Sequence, residues 1–182
     1  GYPASQPNLI LFMCDQLHPF EVGCYRSDYV QTPNLDKLAA EGTRFATAVT
    51  NYPVCSPARS ITLAGQYSRT CTGMLGNVHD NPPNPKRERL VDTTLPEALK
   101  GAGYETALIG KWHVDPQPHL VGFDRTVYPD FEHKYYGQRY WNERGESWRV
   151  DAFGPDYELE QLETWLDAER EAEENEQKAV DD

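Results

Sequence analysis

The chain has 182 residues, with 29 acidic against 17 basic side chains and a formal net charge of −12. That length suits one domain of ordinary size, able to remove roughly 70% of its extended-chain surface on folding. Residues 156–182 carry −10 of the charge and residues 1–155 only −2, so the body lacks the positive field that non-specific nucleic-acid binding needs.

Residues 8–14, NLILFMC, form a continuous apolar run followed by Asp15 and Gln16. Such a run predicts a strand covered on both faces inside a parallel sheet, with Cys14 in the core. Thr32-Pro33 then opens a short helix. Threonine is a capping residue, Pro33 suits the first helical position, Leu35, Leu38 and Ala39 share a face, and Gly42 ends it. Residues 43–49, TRFATAV, are a second strand candidate. Residues 55–65, CSPARSITLAG, predict a helix with Pro57 in its first turn and Gly65 closing it. Thr94-Leu-Pro-Glu97 is a capping box that introduces a further helix. The stretch from Tyr104 to Ile109 reads as a strand leading into Gly110-Lys111-Trp112-His113. Segments 80–89 and 115–149, rich in Pro, Gly, Arg and aromatics, read as long surface loops with a short strand near 125–128. Residues 156–177 predict one helix with Leu159, Leu162, Trp165 and Leu166 as its apolar stripe. Strand, helix, strand, helix, strand in this order is an α/β pattern. Residues 1–155 form its body, and the acidic helix and tail of 156–182 belong to the same domain.

No apolar run approaches the ~18 residues of a membrane-spanning helix. The four cysteines (Cys14, Cys24, Cys55, Cys71) follow neither a zinc spacing nor a dense disulfide pattern. Residues 1–7 hold no basic and hydrophobic leader. A chain whose leader had been removed would work in the periplasm or outside the cell, and otherwise in the cytoplasm.

Sites in open α/β sheets gather at the carboxyl ends of strands. Asp15 and Gln16 follow the first predicted strand, and Lys111 and His113 the third. Each has an ordinary reading as well, Asp15 as a loop cap and His113 as a hydrogen-bonded surface residue. Cys55 lies at a helix N-terminus, where unpaired N–H groups favour an anion, and Arg59 one turn on can reach back to it. Cys55 could equally be a small buried filler. In the loops, His119, His133, Arg139, Trp141 and Arg144 could line a pocket for an anionic sugar or simply face solvent. Tyr135, Tyr136, Tyr140 and Trp148 read equally as core or as carbohydrate platforms.

These residues carry a family resemblance. Cys55-Ser-Pro57-Ala-Arg59 with Gly65 resembles the C-x-P-x-R signature of the formylglycine-dependent sulfatases, and Gly110-Lys111-Trp112-His113 resembles their second signature. The segment Thr32-Pro-Asn-Leu-Asp36 through Phe45 is similar to their intervening stretch, and Asp15 to their first metal ligand. Four elements stand in family order between Asn8 and His113.

The resemblance implies the fold of the alkaline-phosphatase-like superfamily, a mixed and mainly parallel sheet flanked by helices, of which this chain would be the N-terminal portion. It implies hydrolysis of a sulfate ester to alcohol and inorganic sulfate. Cys55 would be oxidised to formylglycine and hydrated. One hydroxyl then attacks sulfur, and the second, once deprotonated, expels sulfate. A calcium ion would be held by Asp15, Gln16 and residue 55. Arg59 would stabilise the modified residue, Lys111 would bind sulfate and His113 would assist elimination.

The Asp15-Gln16 pair, where many members have two aspartates, resembles the branch of choline sulfatases and phosphonate monoester hydrolases. In that branch a polar residue faces the sulfate where Asn77 stands, after a similar run (Gly65-Gln66, Arg69, Thr72-Gly73). A phosphonate monoester or phosphodiester hydrolase is therefore the alternative activity, and an inactive sulfatase fragment the alternative status. Asp15, Gln16 and residue 55 fall short of the six to eight oxygens calcium takes, and Asp80-Asn81 lies too near the Cys55 helix to be a distant ligand pair. A second chain or a missing C-terminal portion is expected to complete the site.

Overall fold

The computed structural model describes residues 7–26, 28–71, 76–78, 88–130, 132 and 134–181. Thr72-Gly73, Asp80-Asn81, most of segment 80–89 and His133 lie outside them. The chain divides into two units, Gly1–Val49 and Thr50–Asp182.

In the first unit, two single 3₁₀ turns (Pro19–Glu21 and Gly23–Tyr25) precede helix α1 (Pro33–Glu41). Pro33 opens α1 as its sequence requires, but the Thr32 hydroxyl does not cap it. That hydroxyl accepts from Gly23 N at 2.8 Å and donates to Asp36 Oδ1 at 3.1 Å, and the same carboxylate oxygen accepts from Cys24 N at 2.6 Å. Thr32 and Asp36 thus tie the helix to the preceding turn.

The two strands expected at 8–14 and 43–49 are not formed here. Both segments run without ladder partners among the described residues. Leu9, Ile10, Leu11 and Phe12 are 60–77% exposed, and Cys14 is exposed rather than in the core. A strand needs at least one neighbour to pair its backbone and something to cover its apolar faces, and no described segment supplies a pairing neighbour to this run.

The second unit holds the sheet. Strands β1 (Ala107–Ile109), β2 (Arg125–Pro129), β3 (Gln138–Trp141) and β4 (Ser147–Val150) lie in that spatial order. β1 and β2 are parallel, with Ile109 opposite Val127, while β2–β3 and β3–β4 are antiparallel. The expected strand near 125–128 is β2. The rest of 115–149 is not all loop, since β3 and β4 make a hairpin there. Their code is a weak one: Gln138 and Tyr140 face inward while Arg139 and Trp141 are half-buried. With a glutamine and an arginine among the four residues of β3, the alternation does not register as hydrophobic against polar.

The unit's helices are α2 (Cys55–Ala64), α3 (Ser68–Cys71), α4 (Leu95–Gly101) and α5 (Gly154–Asp181), with α5 packed on β1 and α3 and α4 on α2. Gly65 closes α2 at φ +62°, a left-handed cap that suits glycine. The stripe expected on α5 is only partly used, because Leu159 and Leu166 are exposed. The core gathers Leu63, Leu90, Trp112, Val114, Val121 and Tyr128. Phe123 meets Trp112 edge-on at 5.9 Å, and the Trp112 indole N–H donates to Pro116 O at 2.8 Å.

The capping box on α4 is present. Thr94 Oγ1 accepts from Glu97 N at 3.4 Å, and Thr94 N donates to Glu97 Oε2 at 2.7 Å. The same hydroxyl donates to the Val121 carbonyl at 2.7 Å, joining α4 to the core. Thr94 is buried, so Thr94→Ala removes a cap and leaves a buried carbonyl short of a donor. A loss of about 2 kcal/mol is expected from these two terms, read as a lower urea midpoint at unchanged slope.

Candidate active site

The candidate site forms where the N-terminus of α2 meets the carboxyl end of β1. α2 can begin at Cys55 because Pro57 falls in its first turn, where its missing N–H has no intrahelical partner to lose. On the other side, Gly110 N donates to Val127 O at 2.9 Å and extends the ladder one residue past β1. Gly110 then turns the chain at φ +96°. A Cβ there would stand 3.1 Å from Glu158 Oε2, so glycine serves both the turn and the close approach of α5.

Lys111 follows that turn, and its Nζ lies 3.8 Å from Cys55 Sγ. Arg59, one turn along α2, donates from Nη1 to the Lys111 carbonyl at 2.7 Å. The guanidinium therefore fastens the Lys111 loop to the helix carrying Cys55. The Lys111 ammonium thus stands beside a half-buried thiol at a helix N-terminus, with Arg59 holding the Lys111 backbone. Charge of this sign favours an anion beside residue 55.

Residues 77 and 78 complete the helix end. Val54, at the cap position of α2, supplies no side-chain acceptor. Asn77 Oδ1 accepts from Ser56 N at 3.0 Å in its place, and Val78 N donates to Ser56 Oγ at 3.0 Å. The Asn77 amide oxygen is committed to the helix, and its NH₂ is the half able to donate to an anion. His113 sits at φ +53°, a left-handed position uncommon for a side-chain-bearing residue. Its Nε2 is 2.9 Å from the Val78 carbonyl. A carbonyl only accepts, so Nε2 carries a proton, and in a neutral ring Nδ1 would be the acceptor nitrogen.

Sequence reasoning missed three contributors. Ser56, fully buried, supplies both contacts to 77 and 78. Val78 offers its carbonyl to His113. Glu158, on α5, accepts from Tyr140 OH at 3.1 Å beside Gly110, and burial pushes its carboxyl above the usual range, opposed by the Tyr140 hydrogen bond. Only Ser56 carried a local signal, as the neighbour of Cys55. Cys55, Arg59, Asn77, Lys111 and His113 come together in one unit. Asp15 and Gln16 belong to the other unit, where both are exposed and Gln16 is left-handed at φ +59°. Among the loop candidates, Arg139 and Trp141 lie on β3, while His119 and Arg144 are exposed.

Residues 7–173 match the sulfatase family. The chain belongs to that family. It is 32% identical over 144 residues to an N-acetylglucosamine-6-O-sulfatase of Bacteroides thetaiotaomicron, covering 76% of this chain and 24% of that protein. It is 35% identical over 126 residues to the human steryl-sulfatase, covering 65% of this chain and 21% of that one. The chain thus spans about a quarter of the length of the sulfatases it matches. The crystal structure of the sulfatase-family protein yidJ from Bacteroides fragilis superposes with a TM-score of 0.75 at 28% identity, over 94% of this chain and 43% of that one. The Ps i-CgsB structure gives 0.76 at 22% identity, over 90% and 42%, a likeness of fold alone. The fold is the N-terminal part of the alkaline-phosphatase-like sulfatase fold.

Proposed function

We propose that this chain carries the nucleophile and the anion-binding side of a sulfate-ester hydrolase, releasing an alcohol and inorganic sulfate. The observation that carries this reading is the approach of Lys111 Nζ to Cys55 Sγ, with Arg59 fastening the Lys111 loop. Lys111 holds a sulfate oxygen and screens the charge that grows on it as the S–O bond breaks. Arg59 keeps that loop and residue 55 in register. The Asn77 NH₂ donates to the sulfate from the far side of the helix end. His113, whose Nε2 faces the Val78 carbonyl, assists the step that frees sulfate through Nδ1 when the ring is neutral. Position 55, half-buried at a helix N-terminus, suits a formylglycine made from Cys55. When hydrated, that group supplies one hydroxyl to attack sulfur and a second to expel sulfate, which a plain cysteine lacks.

Calcium is the metal this reading implies. Asp15 and Gln16 are hard oxygen donors of the type calcium takes. The described residues contain no group of three or more His, Cys, Asp or Glu able to hold a metal. No step here runs through the ion. A C-terminal portion or a second chain supplies the remaining ligands.

Peptide mapping of the purified protein tests the nucleophile: the Cys55 peptide is expected lighter by the difference between CH₂SH and CHO, and a Cys55→Ser protein inactive. An unmodified Cys55 in a protein that still turns over aryl sulfate sinks the formylglycine reading. The Asp15-Gln16 pair favours a second reading, hydrolysis of phosphonate monoesters or phosphodiesters. Matched aryl sulfate and aryl phosphonate esters separate the two by kcat/KM.

A further inference from the structure

The relatives' names include sugar, steroid and aryl sulfatases, and one surface of this chain bears on that choice. Because β1 and β2 are parallel, the carboxyl end of β1, which leads to Lys111, and that of β2, which leads to Asp130, lie on one edge of the sheet. β3 is antiparallel to β2, with Pro129 opposite Tyr140 and Asp130 N donating to Arg139 O at 2.9 Å. Its entry segment, with Tyr135 and Tyr136, therefore reaches the same edge. β4 leaves on this edge too, since Val150 pairs with Gln138. Phe153 and the first turn of α5 follow it there, with Gly154 N donating to Tyr135 O at 2.7 Å.

At this edge Tyr135 stacks on Phe153 with centroids 5.7 Å apart and planes at 26°, and Tyr136 lies 5.6 Å from the same ring at 42°. Both tyrosines remain mostly exposed, at 68% and 65%. Tyr140 and Trp148, their companions in the sequence, are instead core or half-buried, with the Trp148 indole donating to Tyr157 OH at 2.9 Å. Two mostly exposed tyrosine rings thus lie at the end of the sheet that also leads to Lys111. The neighbouring cations are taken up by acids: Lys134 and Arg149 both pair with Glu132, and Arg139 faces Asp130 at 4.0 Å. The patch offers ring faces rather than charge.

We propose that Tyr135 and Tyr136 form a stacking subsite for a sugar ring of a sulfated oligosaccharide whose ester group occupies the Cys55–Lys111 site. The inference rests on the sulfate-ester reading of that site. A pyranose has a face of polarised C–H groups, which meet the negative face of an aromatic ring, and a rim of hydroxyls that stays in water. An open platform covering one face fits that shape. A sterol, apolar on all sides, needs an enclosing pocket. β3 lies two strand spacings from β1, roughly 10 Å, so the ring on the platform is not the one bearing the reacting ester.

The test uses a tetrasaccharide with one terminal sulfate, its desulfated form, cholesterol sulfate and p-nitrophenyl sulfate. Saturation-transfer NMR on the full chain is expected to show tyrosine-to-pyranose transfer for both tetrasaccharides. The Tyr135→Ala/Tyr136→Ala protein should bind the desulfated tetrasaccharide about tenfold more weakly, and the Tyr135→Phe/Tyr136→Phe protein should bind it nearly as the parent does. In the complete enzyme the alanine pair should lower the kcat/KM ratio of sulfated tetrasaccharide to p-nitrophenyl sulfate by about the same factor. An unchanged ratio overturns the subsite, as does transfer to cholesterol sulfate in preference to sugar. If the alanine pair fails to fold, the NMR map on the parent and phenylalanine proteins decides. Sugar transfer without turnover of any sulfate ester overturns the hydrolase reading and leaves a sugar-binding platform.

Discussion

Lys111→Ala is expected to lower kcat/KM for an aryl sulfate by about two to three orders of magnitude in the complete, formylglycine-bearing protein. The ammonium stands 3.8 Å from Cys55 Sγ, where on the proposed reading it would meet the sulfate oxygens. The fold should be little disturbed, because Arg59 holds the backbone carbonyl of residue 111 and not its side chain. That separates two substitutions. Lys111→Ala removes the charge and keeps the loop fastened, whereas Arg59→Ala unfastens the loop and displaces the charge as well. Steady-state kinetics with a thermal melt on the same samples checks this, and a loss of less than about tenfold with Lys111→Ala would remove Lys111 from the chemistry.

Gly122→Ala is expected to be the most damaging alanine substitution among the described glycines of the second unit. Gly122 ends a 3₁₀ turn (Pro118–Val121) at φ +103°, and a Cβ there would lie 2.5 Å from Glu97 N and 2.9 Å from Pro96 C. Those are backbone atoms of the α4 capping box and cannot swing away. Backbone strain and overpacking together amount to roughly 3–5 kcal/mol. Gly145→Ala is the internal control. Gly145 is also left-handed, at φ +75°, but a Cβ there meets nothing within 4 Å, so its cost is the conformational one, about 1 kcal/mol. Equal urea midpoints for the two proteins would contradict the packing around Gly122.

The elements legible beforehand were those written locally. The capping box at Thr94, the Pro57 start and Gly65 end of α2, and the short strand before Gly110 all depend on neighbours in sequence. The same holds for Cys55, Arg59, Lys111 and His113, which sit in two short contiguous motifs. The run 8–14 shows the opposite case. Its apolar character is plain, yet strand formation depends on partners beside it, and Leu9 to Phe12 stay exposed where none is described. The β3–β4 hairpin was hidden because its inward positions include Gln138, whose amide bonds to Asp130 and Lys134 rather than packing as a hydrophobe.

By itself the sequence determined the family, the identity of the candidate nucleophile and the positions of its cationic neighbours, because these reside in residue types at fixed short spacings. Tertiary structure decided what those residues touch. Arg59 binds the Lys111 backbone, the Asn77 amide oxygen caps α2 through Ser56, and the Val78 carbonyl keeps a proton on His113 Nε2. It also divided four look-alike aromatics, sending Tyr140 into the core and Tyr135 and Tyr136 to the sheet edge. Spacing along a chain fixes chemistry that one helix or turn can hold. Contacts between distant segments arise only once strand direction and register have put them on the same edge.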